Sequence, residues 1–252
     1  MDPAALLDLP PAVLLGIAAA VLLAYTIFGA TGFGSSIVAV PLVSHVLPLT
    51  ISVPLISCLD IFAATGTAWR QRRHIGWTEF RHLAPAAVIG IALGVTLLLN
   101  LPPRPALMTL GVFVTLYGTY VLSGAPRPKH VPRWLAWPIG IAGGVFSSLF
   151  GTGGPLYLVY LSSRLPDKSA LRATAALMVS LSVWLRVSVF VVTGVLLHAP
   201  LLLFAAGLLP VIALGMLIGS RLHARLSSGG VLRLIAVLLV VNGVTLLVRV
   251  LL

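Results

Sequence analysis

The chain has 252 residues, 59% of them hydrophobic and 8% charged, with 16 Lys and Arg against 5 Asp and Glu for a net charge of +11. A soluble domain carries roughly 25% charged residues, so this chain is too apolar to be disordered and too poor in polar side chains to cover a water-soluble globule. A membrane-spanning helix uses about 20 residues, so the composition describes a polytopic membrane protein with little left over for extramembrane domains.

Ten apolar segments follow one another at about 12–29, 33–47, 51–69, 83–100, 104–123, 134–150, 152–165, 169–195, 200–220 and 230–250. Long aliphatic runs without period-2 alternation predict helices rather than barrel strands, giving an all-α bundle of about ten membrane segments. Asp2 and Asp8 precede the first run and no Lys or Arg does, so the positive n-region of a cleaved signal peptide is missing.

The basic residues cluster between the runs. With the N-terminus outside, the inward connections hold Arg70, Arg72, Arg73 and Arg81; Arg127, Lys129 and Arg133; Arg164, Lys168 and Arg172; and Arg221, Arg225 and Arg233. Arg104 and Arg249 fall outside and Arg186 lies within the eighth segment. This is a strong positive-inside bias, and it places the charge at the bilayer instead of on nucleic acid. Charge counting leaves two hairpins open. Segments one and two share too few residues for two full spans, as do six and seven, so each pair either crosses or dips in as a re-entrant hairpin.

Self-comparison finds two halves. Pro85 to Gly94 and Pro210 to Gly219 both read Pro, four residues, Gly, three residues, Gly. Phe28 to Gly34 pairs with Ser147 to Gly154, aligning Gly32 with Gly151. Five segments per half is an odd number, so the copies enter the membrane from opposite sides. This predicts inverted repeats at 1–125 and 134–252, joined by a basic cytoplasmic linker at 126–133. Such repeats are the architecture of many secondary transporters, with substrate near the midplane. Gly90, Gly94, Gly215 and Gly219 have the small-xxx-small spacing of close helix packing, which needs no ligand.

Gly32 and Gly34 precede Ser35 and Ser36 where segment one gives way to two. Gly151, Thr152, Gly153 and Gly154 precede Pro155 between six and seven. Glycines before a helix let backbone N–H groups approach a ligand, and a helix N-terminus attracts anions. Two such turns suit one oxyanion held from opposite sides; a plain tight turn between antiparallel helices reads the same way.

The run Gly32-Phe33-Gly34-Ser35-Ser36-Ile37-Val38-Ala39-Val40-Pro41-Leu42 resembles the first signature of the sulfite exporter TauE/SafE family. Gly151-Thr152-Gly153-Gly154-Pro155 resembles the second, and Arg73-His74-Ile75-Gly76-Trp77 fits the same family. The first half carries Ser35 and Ser36 where a glycine run is usual, and Tyr160 stands in register with Pro41. The resemblance implies a small bacterial or organellar membrane permease for sulfite, sulfoacetate or another sulfur-containing anion; a multi-pass bacterial inner-membrane protein that needs no cofactor is expected.

Asp60 and Arg186 are ionisable groups at membrane depth and functional candidates by default. Arg offers a planar fork of donors suited to an oxyanion, although its long side chain is also able to snorkel outward. Similar depths in segments three and eight permit a pair: an ionised Asp60 would hold Arg186, and protonation would release it to bind a substrate anion. Proton and anion would then move together. An uncoupled channel is the alternative. No nucleophile–base pair appears, and the six His lack metal-ligand spacing, so neither an enzyme nor a metal site is expected. Trp69, Trp77, Trp134 and Trp137 fall at predicted interfaces as belt residues.

Overall fold

In lipid every backbone N–H and C=O must be satisfied internally, so apolar runs of this length fold as helices. The computed structural model describes residue 6 and residues 9–31, 34–124, 131–223 and 228–251. Among the described residues the regular elements are all helical: α1 (Pro11–Thr31), α2 (Ser35–Val43), α3 (Leu49–Arg70), α4 (Trp77–Asn100), α5 (Pro103–Leu122), α6 (Ala136–Phe150), α7 (Gly154–Arg164), α8 (Lys168–Val192), α9 (Ala199–His223) and α10 (Ser228–Leu251). Gly32, one of the expected site residues, lies outside the described residues, as do Arg127, Lys129 and Arg225.

Ten segments do not make ten crossings by length. Six described helices are long and apolar enough to span: the helical stretches Pro11–Ala30, Leu49–Arg70, Trp77–Asn100, Pro103–Leu122, Ser169–Val192 and Ala199–Arg221. By contrast α2 has 9 residues and α7 has 11. At ~1.5 Å per residue they cover ~14 and ~17 Å, about half of a ~30 Å hydrocarbon core.

Burial sorts the helices. All of α2 except Leu42 is buried, and α3 is the most buried of the six candidate spans. Outward faces of α4, α5, α9 and α10 expose Leu93, Leu116, Leu203, Leu217 and Val241. Apolar faces of that extent on a helix bundle fit lipid rather than water. Trp69, Trp77, Trp134 and Trp137 are all exposed by half or more, as belt residues should be.

The principal pairings are α4 with α6, α5 with α10, α1 with α9 and α3 with α8. Small residues make the first three possible. A Cβ on Gly94 would lie 2.6 Å from the Val145 carbonyl of α6, and one on Gly215 would lie 2.9 Å from the Leu22 carbonyl of α1. Gly90 and Gly219 press on the same two helices. These four glycines therefore do what their spacing indicated, bringing backbones into contact without hydrophobic driving force.

Candidate functional site

Two turns bring the site together. Between α1 and α2 the chain reverses through Gly34, whose φ of 93° is the left-handed conformation that glycine takes at little cost. Between α6 and α7 it reverses at Gly151, with φ 71°. Gly151 N–H donates to the Ser147 carbonyl at 2.8 Å and Thr152 N–H to the Phe146 carbonyl at 3.2 Å, satisfying orphan carbonyls at the end of α6.

The two turns meet. A Cβ on Gly151 would stand 2.6 Å from Ser36 Cβ, 2.8 Å from Ser36 Oγ and 3.5 Å from Arg186 Nη1. Only a residue without a side chain allows α2 to begin against the end of α6. Gly153 is a packing residue, since its Cβ would lie 2.7 Å from Ser147 Cβ. Gly34 and Gly154 meet ordinary contacts only, at 3.7 Å to Ile37 Cγ2 and Val179 Cγ2 respectively. Thr152 is fully buried, and its hydroxyl turns back to the Phe146 carbonyl at 3.4 Å.

Asp60 lies midway along α3 and is 1% exposed. Tyr25 Oη donates to Asp60 Oδ1 at 2.7 Å and Ser35 Oγ donates to the same atom at 2.7 Å. Ser36 Oγ donates to Oδ2. Three hydroxyls from α1 and α2 thus solvate a carboxylate that has left water, which is what makes such burial tolerable. The expected direct pair with Arg186 is absent: among the described residues the ion pairs are those of Glu79. Asp60 and Arg186 still act on one another electrostatically, with Tyr25 and Cys58 in the same field.

Arg186, on α8, is also 1% exposed and does not snorkel. Its Nη1 donates to the Ser147 carbonyl at the α6 end, and its Nε is a buried donor without a hydrogen-bond partner. A guanidinium carries five donors, and buried donors are ordinarily satisfied. Nearby, α7 begins at Gly154 with no side-chain cap on its N-terminus, and α2 begins at Ser35 likewise uncapped by a side chain. Backbone N–H groups of a first helical turn have no intrahelical acceptor. The place where α2, α6, α7 and α8 converge therefore gathers hydrogen-bond donors and the Arg186 guanidinium, with the Asp60 carboxylate close by on Ser35 and Ser36. Donors of this kind stabilise an oxyanion.

Other hydroxyls are committed elsewhere. Ser57 donates to the Val53 carbonyl, Ser148 to the Ile91 carbonyl at 2.9 Å and Thr174 to the Ala170 carbonyl at 2.7 Å. Thr65 and Ser180 meet at 3.3 Å between α3 and α8. Tyr157 is fully buried and shares a 3.1 Å hydrogen bond with Ser182, and it packs against Gly143.

Two participants were not indicated by motif reading. Tyr25 is the first; a phenol seven residues before the Gly32 turn, inside an apolar run, has to find a polar partner when buried. Glu79, the sole glutamate of the chain, is the second. It is buried at the start of α4, where it accepts from Tyr160 Oη at 2.7 Å and Arg164 Nε at 3.4 Å, with Arg133 Nη2 at 3.9 Å. It ties α4, α7 and the segment before α6 together at one end of the bundle.

Residues 17–246 match the family described as Sulfite exporter TauE/SafE. A curated relative, the probable inner membrane transporter protein TsaS of Comamonas testosteroni, is 25% identical over 193 residues, covering 76% of this chain and 81% of the relative. No solved structure matches significantly. The family match runs from within α1 to within α10 and so takes in both turns, Asp60 and Arg186; the chain belongs to the sulfite exporter TauE/SafE family of membrane transporters, and is not an enzyme.

Proposed function

We propose that this chain is a secondary transporter that moves small sulfur-containing oxyanions, such as sulfite, sulfoacetate or another organosulfonate, across the inner membrane. The observation that carries the reading is Arg186: a fully buried guanidinium with an unpartnered Nε, set against the turn where α6–α7 touches the start of α2. The substrate-binding set is Gly32, Gly34, Ser35, Ser36, Gly151, Thr152, Gly153, Gly154 and Arg186. Gly34 and Gly151 shape the turns, Gly153 allows close packing, and Ser35, Ser36 and Arg186 supply donors.

The transporter architecture we infer is a pair of inverted repeats, 1–125 and 134–252, with the N-terminus outside and 126–133 as a cytoplasmic linker. In this reading α1–α2 and α6–α7 are re-entrant hairpins whose tips meet inside the membrane. The pairings support it, because exchanging the halves turns α4 with α6 into α9 with α1, and leaves α5 with α10 and α3 with α8 unchanged. Contacts between α5 and α10 behave the same way: Gly118 packs on the Ala236 carbonyl and Gly111 on the Gly243 carbonyl, and adding 125 exchanges the two pairs.

Asp60 is the seat of proton coupling. As a carboxylate it accepts from Tyr25, Ser35 and Ser36. Once protonated, its hydroxyl oxygen needs an acceptor of its own, and the serine hydroxyls become free to turn to an anion at the tips. The proton so taken up travels with the substrate. Reconstitution into liposomes tests this: sulfite and sulfoacetate flux should respond to an imposed proton gradient, with sulfate, zwitterionic taurine and carboxylates measured for comparison. Arg186→Gln should abolish anion-dependent flux. Preference for uncharged or cationic compounds defeats the anion reading, and flux that is never driven uphill by a gradient makes the protein a channel.

A further inference from the structure

Resting on the anion reading above, we infer that Arg172 is a second station for the substrate: a guanidinium near the start of α8 that binds the same class of small sulfur oxyanion and passes it to or from Arg186. In the orientation proposed above, this is the cytoplasmic end of the helix.

The observation is a pair of matching donors. Among the described residues, the arginine nitrogens that are buried without a hydrogen-bond partner are Arg172 Nε and Arg186 Nε. Other arginines have found partners: Arg133 and Arg164 on Glu79, and Arg249 on the Ser44 and His45 carbonyls. No carboxylate pairs with Arg172 among the described residues. Asp167, the carboxylate nearest to it in sequence, is spent on the start of α8, where it accepts from Ala170 N–H at 2.8 Å. A guanidinium does not lose its proton in a protein, so burial of this donor is not relieved by neutralisation. The relief left to it is an acceptor, and an anion supplies one together with a compensating charge.

Helical geometry puts both arginines on one file. Arg172, Val179 and Arg186 stand seven residues apart, and a heptad drifts by only about 20° around a helix. The three share a face, opposite the one on which Trp184, Ser188 and Val191 are exposed. Arg172 is half-buried and Arg186 is 1% exposed. Between them, Val179 lies against the first residue of α7, its Cγ2 3.7 Å from where a Cβ on Gly154 would stand. The file thus runs from one end of the bundle, past the α6–α7 turn, to the site at Arg186. Side chains on a helix lean toward its N-terminus, so both arginines shift the same way and keep the ~21 Å separation of their positions along the axis. One small anion is too short to touch both, and the two stations are separate.

Unequal burial gives them unequal strength. A unit charge is held several-fold more strongly in an effective dielectric of ~20 than in water at ~80, so Arg186 binds tightly and Arg172 loosely. A loose site at the mouth raises the local concentration of anions. It also gives an anion leaving Arg186 somewhere to go, since passage needs sites weak enough to release what they bind.

The test counts anions. Radiolabelled methanesulfonate is dialysed to equilibrium against the full chain in phosphatidylcholine nanodiscs, with dimethyl sulfone as an uncharged competitor. The wild type should bind two methanesulfonates, the second about tenfold or more weakly than the first. Arg172→Gln should lose the second and leave the affinity of the first within about twofold, as expected for distant sites. Arg186→Gln should lose the first and keep the second. Arg172→Lys should weaken the second without moving the first, because the charge remains and the planar fork does not; this variant decides if Arg172→Gln does not assemble. A single methanesulfonate governed by Arg186, or a second one that Arg172→Gln leaves in place, overturns the second station and leaves the anion site standing. So does a first affinity that falls together with the second in Arg172→Gln, which would make Arg172 a structural residue. Adding phosphatidylglycerol to the discs should leave the count at two; a count that drops to one assigns Arg172 to a lipid phosphate and overturns the inference. If no methanesulfonate binds, or dimethyl sulfone competes as well as methanesulfonate itself, the anion reading fails and this inference fails with it.

Discussion

The two turns differ in backbone and in chemistry. The left-handed glycine of one, Gly34, stands directly before α2, whereas that of the other, Gly151, closes α6 and the residue before α7, Gly153, is right-handed. At the α2 tip, the first turn carries two hydroxyls, and both are spent on Asp60. At the α7 tip, the first turn is Gly154-Pro155 with no hydroxyl, and the neighbouring guanidinium has a donor to spare. One turn has its hydroxyls spent on a buried carboxylate, and the other lies beside a buried guanidinium with an unpartnered donor. In the proposed reading, a handful of side chains decide which turn is free to hold an anion.

Replacing the charged group at each tip separates them most sharply. Arg186→Gln should lower anion flux in proteoliposomes by about a hundredfold or more, the size expected for loss of a buried charge on an oxyanion. Arg186→Lys should recover only part of this, because an ammonium keeps the charge and loses the planar fork. Asp60→Asn should instead keep flux of a monoanion within about tenfold and flatten its response to pH. Equal losses from the arginine and aspartate variants would erase the distinction between an open and a filled tip.

Backbone substitutions come next in size. Gly151→Ala incurs the left-handed penalty of about 1–2 kcal/mol, and its methyl group falls 2.6 Å from Ser36 Cβ, adding about 1–3 kcal/mol of overpacking. Gly34→Ala incurs the first term alone, since its methyl group meets only Ile37 Cγ2 at 3.7 Å. Thermal unfolding in detergent should therefore rank Gly151→Ala well below Gly34→Ala. Similar midpoints for the two would mean that the tips do not touch.

Much of this was legible in the chain. Helical class, the two turns, and the close packing of Gly90, Gly94, Gly215 and Gly219 all follow from local pattern, because period and residue size act within one helix or between backbones. Their position within apolar runs also marked Asp60 and Arg186 as unusual, and both are buried. What spacing cannot give is rotation about the axis, which is set by ridges packing into grooves of helices distant in sequence. That is why the expected Asp60–Arg186 pair resolves into Asp60 with Tyr25, Ser35 and Ser36, and Arg186 with a backbone carbonyl. Glu79 escaped for the same reason: its partners Tyr160 and Arg164 lie 81 and 85 residues away. The length of α2 was blurred because the chain stays largely apolar past Val43, so hydropathy did not mark its end, whereas Arg164 and the Pro166-Asp167-Lys168 run marked the end of α7.

The smallest predicted effect asks whether the filled tip holds a charge. Tyr25 donates to a carboxylate at 2.7 Å, and Tyr157, beside the other tip, shares a 3.1 Å bond with the neutral hydroxyl of Ser182. Hydrogen bonds to charged groups contribute about 1.5–3 kcal/mol and neutral ones about 0.5–1.5 kcal/mol. Both phenols are fully buried, so replacing either with Phe removes one oxygen from a similar environment. Tyr25→Phe should accordingly cost about 1 kcal/mol more stability than Tyr157→Phe. The surplus should vanish in an Asp60→Asn background, where Tyr25 faces a neutral amide, while the cost of Tyr157→Phe stays unchanged. A surplus that survives the aspartate substitution would locate its origin in packing around Tyr25, and the α2 tip would then lose its claim to an internal anion.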